Sequence, residues 1–355
     1  MAQPDVDNRT PFLVEMLFLM DEQGRSLLVP VVKASFVMAD GKLPLCEEPE
    51  PVNTAGESWG NPGSSSLKYE PECAFIKVTT DVVLIGHAHA PSRQTTEVRV
   101  SLRVGPIQKT VRVVGDRTWF KSLGQVSMTR PLAFERIPLR YERAFGGWDR
   151  SHPDPQQHRF EPRNPVGVGF RASTRNFEEG LLLPNLEDPD EPLVRFGQVV
   201  RPAGFGFISP DWQPRASLAG TYDETWRKTR MPWLPTDFDR RFFNAAPPGL
   251  VAPGYLRGDE EVALHHVTPK GTLTFKLPGI RPPDVLLERT RRTDEKVRMA
   301  LDTVILNADE GCVFLLWRGQ ALLAEGPREV RTLVVDSEQD LGPLMDAAVP
   351  LPEQP

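Results

Sequence analysis

Apolar and polar residues alternate most cleanly at Val98, Val100, Leu102 and Val104, which interleave with Arg99, Ser101 and Arg103. A period of two puts one set of side chains on a buried sheet face and the other in water. Gly105-Pro106 follows, then a second run, Ile107–Val114, which Gly115-Asp116 stops. The pattern predicts an antiparallel hairpin. Upstream, the same reading gives a meander: apolar Phe12–Met20, a turn at Asp21-Glu22-Gln23-Gly24, a run Leu27–Met38 and a turn at Asp40-Gly41. Downstream, Asp302–Leu306 and Cys312–Trp317 flank residues 307–311 as another hairpin, and Glu329–Val335 adds a strand.

Helical signals are confined to two places. Thr221 and Glu224 stand at capping-box spacing ahead of Tyr222–Thr229, which Pro232 closes. Ser337 and Asp340 stand likewise ahead of Leu341, Leu344, Met345 and Ala348, weakened by Gly342 and Pro343. Proline explains the scarcity: 36 residues, joined by 27 glycines, is about twice proline's usual share of about 5%. Each interior proline removes a backbone donor and breaks a helix. Residues 47–66 lose hydrophobicity and read as a surface loop. Residues 145–255 carry Trp148, Trp212, Trp226, Trp233, Phe242 and Phe243 amid Pro and Gly. Irregular backbone packed on large rings is expected there, with Asn164, Asn185 and Asn244 as turn-forming or backbone-capping positions. The fold class is therefore mainly β: antiparallel, sandwich-like sheets with long Pro-, Gly- and aromatic-rich loops and a few short helices.

At 355 residues the chain exceeds the size at which one core usually stops growing. Residues 1–336 are expected to form one large domain, or two packed lobes with a change near 130–150. Residues 337–355 are a tail, a short helix and then disorder. Net charge is −6, and the basic cluster Arg289, Arg291, Arg292 is offset by Glu288, Asp294 and Glu295. Nucleic acid, which needs unopposed cations, is not an expected partner. Cys46, Cys73 and Cys312 are too few and too scattered for a disulfide framework or a CxxC metal site, which suits a reducing, cytoplasmic compartment. The run Pro11–Met20 contains Glu15 and lacks a basic flank, so it is not a signal peptide, and no stretch is long enough to cross a bilayer.

Candidate chemistry is sparse. His87 and His89 would share one face of a strand and could chelate a metal, but no further ligands stand at a diagnostic spacing, and adjacent His265-His266 would point apart. A hydrogen-bonded pair is the plainer reading. Carboxylate pairs such as Glu142 with Asp149, or Asp237 with Asp239, are compatible with turns and caps. Walker A and HExxH patterns are missing, and Gly167-Val168-Gly169 and Gly204-Phe205-Gly206 read as tight turns. No catalytic residue, metal or cofactor is expected. The aromatic wealth serves either a core or an interface, since Trp, Tyr and Arg anchor protein contacts.

Several blocks, in order, resemble a known family. They are Gly115–Trp119, Pro138–Gly147, Asn164–Gly167, Leu183–Glu187, Trp212 with Arg215, Gly220–Asp223 with Trp226, Pro235–Asp239, Asn244–Pro247, Gly258–Glu260 and Leu301–Thr303. Together they are similar to the bacterial domain-of-unknown-function family 2169, which accompanies type VI secretion effectors and their spike-tip proteins. Coverage runs over about residues 12–335. The resemblance implies an adaptor or chaperone, not an enzyme, that binds a toxin effector or the PAAR-like tip protein and helps load it onto the spike, with the spike protein as a further candidate partner. Contact residues are not implied. A metal-dependent hydrolase and a carbohydrate-binding module with an exposed Trp are the competing expectations.

Overall fold

A computed structural model describes residues 4–175 and 177–351. The protein is mainly β, with several antiparallel sheets and two short α-helices. The central sheet sets Leu13–Met20, Ser26–Val37, Cys312–Arg318, Ala300–Asn307 and Asp81–Ile85 side by side, with the short Ala321–Leu322 also on Ser26–Val37. Neighbours run antiparallel except the last pair, Ala300–Asn307 with Asp81–Ile85. The first meander and the 300–318 hairpin therefore form as their patterns predict, displaced by a residue or two at the ends.

The two faces of this sheet differ in kind. Cross-strand register puts Val32, Ala34 and Phe36 in rows with Trp317, Leu315 and Val313, and continues through Leu301, Val304 and Leu306 to Val82 and Leu84. All are buried, and this face is dry. The opposite rows carry Lys33, Ser35, Arg318, Thr303, Asn307 and Asp81, every one of them buried too. A buried charge persists only when paired and hydrogen-bonded. The segment 50–77 supplies the partners as it crosses this face. Glu72 meets Lys33 Nζ at 3.0 Å, and the backbone N–H of Glu50 donates to Ser35 Oγ. Arg318 donates to the carbonyls of Glu72 and Ala74, and Asn307 donates to the Tyr69 hydroxyl. Lys77 Nζ reaches Asp81 at 2.8 Å and Thr303 at 3.0 Å. A bulge between Leu301 and Thr303 leaves Asp302 without a register partner, and its carboxylate takes Arg318 Nε at 2.6 Å. The polar stretch expected as a plain surface loop is thus the start of a crossing that wires one sheet face.

The second sheet runs Leu186–Glu187, Ile107–Val114, Glu97–Val104, Glu261–His265, Thr272–Lys276, all antiparallel. Val98, Val100, Leu102 and Val104 are its buried side, as their alternation predicts. They share one contiguous core with the dry face and with Val285, Leu287, Leu333 and Val335 of a third sheet. That sheet is built from Asp5–Asn8, Val330–Asp336, Asp284–Arg289 and Glu295–Val297. Each fully buried Val, Leu or Ile contributes about 1.5–3 kcal/mol, so this core dominates stability.

The aromatic-rich stretch holds its own smaller cluster: Trp119, Phe145, Leu183, Leu193 and Val200, ringed by Phe170, Phe177 and Phe196. Asparagines tie down its irregular backbone. Fully buried Asn164 donates to the carbonyls of Tyr141 and Phe145, Asn185 to that of Val114, and Asn244 to that of Thr79. Val168–Gly169 is a short strand parallel to Phe145–Gly146, where a Cβ on Gly147 would lie 2.1 Å from the Gly167 carbonyl oxygen. Only glycine allows that approach.

Both helices form, but neither uses the cap the spacing suggests. Glu224–Thr229 is capped by Asp223, whose carboxylate accepts from Trp226 N, while Thr221 binds Asp237 instead. An Asp at the N-cap outcompetes a Thr two residues earlier. Gly342–Asp346 has no side-chain cap, and Pro343 sits in its first turn, where proline's missing donor costs nothing. Val349 then bonds through its backbone to Leu45 and Glu47. Residues 352–355, the expected disordered end, lie outside the described residues.

Candidate functional site

The strand Leu13–Met20 has a neighbour on one side only. It pairs with Ser26–Val37 over its whole length, and among the described residues no strand, side chain or loop backbone hydrogen-bonds its outer edge. Seven of its eight residues are apolar; Glu15 is the exception. An unpaired strand edge presents a row of donors and acceptors that another chain can satisfy. Phe18 and Met20 stand on one face of it, 36% and 52% exposed.

The tip of the same hairpin is braced from residues 221–243. Asp21 Oδ1 accepts from the backbone N–H groups of Gln23 and Arg25, and Oδ2 takes Arg25 Nε at 2.7 Å. The Glu22 carboxylate is held by Arg240 and its carbonyl by Arg230 at 2.6 Å. Burial would raise both carboxyls, but these hydrogen bonds outweigh it and hold Asp21 and Glu22 below their ordinary values. Trp233 lies flat on Gly24, where φ is +77° and a Cβ would come within 2.6 Å of the indole. Trp226 Nε1 donates to the Trp233 carbonyl, and Tyr222 packs on Trp226 with centroids 4.7 Å apart. Tyr222, Met231 and Trp233 remain exposed. The result is an aromatic platform at the end of an open hydrogen-bonding rail.

The histidines fall elsewhere. His87–His89 is a short strand paired with Arg136–Pro138, and His87 Nδ1 lies 2.8 Å from Asp309. Burial, with the neighbouring His87, lowers the His89 pKa. His265 meets Thr272, and His266, at φ +59°, accepts His89 N through its carbonyl. Among the described residues no group of three or more His, Cys, Asp or Glu side chains converges as a metal site. The carboxylate pairs do not come together as acid and base. Glu142 holds Ser66, Asp149 holds the Ser151 and Ala172 backbone, Asp237 holds Thr221 and Asp239 holds Arg241. A cavity of about 370 Å³ touches Lys77, Asp302 and Arg318, but Arg318 and Asp302 bind each other and Lys77 binds Asp81 and Thr303.

Of the tryptophans, Trp119, Trp212 and Trp317 are core, whereas Trp148 and Trp233 are exposed. Sequence reasoning placed the hairpin and missed its open edge. The available signal was a strand with seven apolar residues and no polar alternation, which marks burial on both faces or an edge awaiting cover.

By fold and site this is a mainly β scaffold with one open apolar edge beside an aromatic platform. Residues 23–318 match the family described as "Uncharacterized protein conserved in bacteria (DUF2169)", and the chain belongs to that family. The platform lies inside the matched span and the open strand just ahead of it. No curated protein and no solved structure matches the chain. No helix among the described residues is long and apolar enough to cross a membrane.

Proposed function

We propose that this chain is a non-enzymatic adaptor that holds another protein in the bacterial cytoplasm before export. The cargo is a type VI effector toxin or its PAAR-like tip protein, which the adaptor helps load onto the spike. The observation that carries the reading is the open edge Leu13–Met20 with the Tyr222, Met231 and Trp233 platform at its end. An adaptor needs such a surface and needs no reactive centre. About 1,600 Å² of buried surface suffices for stable holding. Co-expression with the protein encoded beside it, followed by size-exclusion chromatography, tests the reading. Co-elution and a gain in cargo solubility are expected; the absence of both overturns it.

A carbohydrate-binding role has one observation in its favour. Trp148 is 43% exposed and stacks on Phe160 at 4.6 Å beside a cleft of about 750 Å³ lined by Arg150, Arg171 and Glu178. Glycan binding lost on Trp148→Ala with the fold intact would favour it over the adaptor.

A further inference from the structure

We infer that the partner binds by strand addition: an extended segment of the partner chain pairs with Leu13–Met20 and places a lysine or arginine opposite Glu15. The inference rests on the adaptor reading and names the chemistry of its contact. The open outer edge of this eight-residue strand offers a rail of about 27 Å at the usual rise of ~3.4 Å per residue. Only another extended backbone satisfies alternating donors and acceptors along such a rail. Side chains then set which segment is taken. Phe18 and Met20 project from one face and call for apolar residues opposite them, since cross-strand apolar pairs stabilise a sheet.

Glu15 decides between a partner and a second copy of this chain. It is the one charge on the strand, it is exposed, and it has no ion pair among the described residues. If two copies paired edge to edge, every register within the strand would set Glu15 against either the other Glu15 or an apolar residue. The first is repulsive and the second strips water from an uncompensated carboxylate. The bracing of residues 21–25 by Arg230 and Arg240 prevents the register from sliding to reach Arg25. Charge complementarity therefore favours a foreign segment with a cation at that position. Its far end runs toward Trp233 and Met231.

Two measurements on the full chain test this. In the first, nine-residue peptides alternating valine and threonine, with lysine, glutamate or alanine at the centre, are titrated by fluorescence anisotropy. The lysine peptide is expected to bind at least about threefold tighter than the glutamate peptide. Glu15→Lys should invert that order, and Phe18→Lys should abolish binding of all three, with far-UV circular dichroism unchanged. An order that Glu15→Lys leaves untouched overturns the inference. In the second, hydrogen exchange is compared for the free chain and its complex with the protein encoded beside it. Protection gained at Leu13–Met20 supports strand addition. A complex in which those amides exchange as in the free chain overturns strand addition and leaves the adaptor reading standing. No complex, with peptide selection intact, overturns the adaptor reading alone.

Discussion

Two sheet edges in this molecule face water under opposite rules. Thr272–Lys276 turns Thr272, Thr274 and Lys276 outward and buries Leu273 and Phe275, and the Asp40-Gly41 turn lies along it, with Gly41 N bonded to the Thr274 carbonyl. Polar alternation, a lysine and a covering turn are the usual means of keeping an edge from pairing. Leu13–Met20 has none of them. An unguarded edge on a chain that guards Thr272–Lys276 is the contrast on which the proposed strand addition rests, and the Arg230 and Arg240 contacts brace its tip.

The comparison can be broken most severely through what anchors the open edge. Leu13–Met20 hangs on Ser26–Val37, whose Lys33 is neutralised by Glu72. Glu72→Ala leaves a buried ammonium unpaired and is expected to cost about 3–5 kcal/mol, read as a lower urea midpoint. Next in size is Gly24→Ala. It puts a Cβ into the Trp233 ring at a positive φ, and costs about 1–3 kcal/mol with a change in tryptophan emission. Acid should loosen the tip without reaching the guarded edge. Asp21 and Glu22 titrate below their ordinary 3.8 and 4.5, so their stabilisation is complete above those values and is lost as pH falls through the depressed ones. Tryptophan emission followed from pH 6 downward should begin to change only below about 4.5. Smallest in stability is the conversion of the guarded edge. Thr272→Val with Lys276→Val should move stability by no more than about 0.5 kcal/mol, but should produce concentration-dependent self-association in light scattering.

Much of this was legible in the residues. Strict alternation at Val98–Val104 fixed a face because each side chain has one wet and one dry option. The wired face was not legible. Lys33, Ser35, Asp81, Asp302 and Arg318 are polar residues inside apolar runs, and only the cross-strand register shows that they line up under one crossing segment. The cap at Asp223 turned on competition with Thr221, which spacing does not rank, and the last helix starts at Gly342 with no side-chain cap. The open edge depends on an absence of neighbours, and that is a property of topology. Family membership of residues 23–318 was carried by ordered blocks, several of which, such as Asn164 and Asn185, prove to be backbone ties.

The strand order of the central sheet also dictates a timetable for synthesis. Ser26–Val37 leaves the ribosome well before its inner neighbour, Cys312–Arg318, and Asp81–Ile85 waits for Ala300–Asn307. Closing loops of that length is entropically slow. Until Cys312–Arg318 emerges, the nascent protein carries Ser26–Val37 as a second raw edge, and a chain stalled before residue 300 should be far more sensitive to protease than one extended past residue 318.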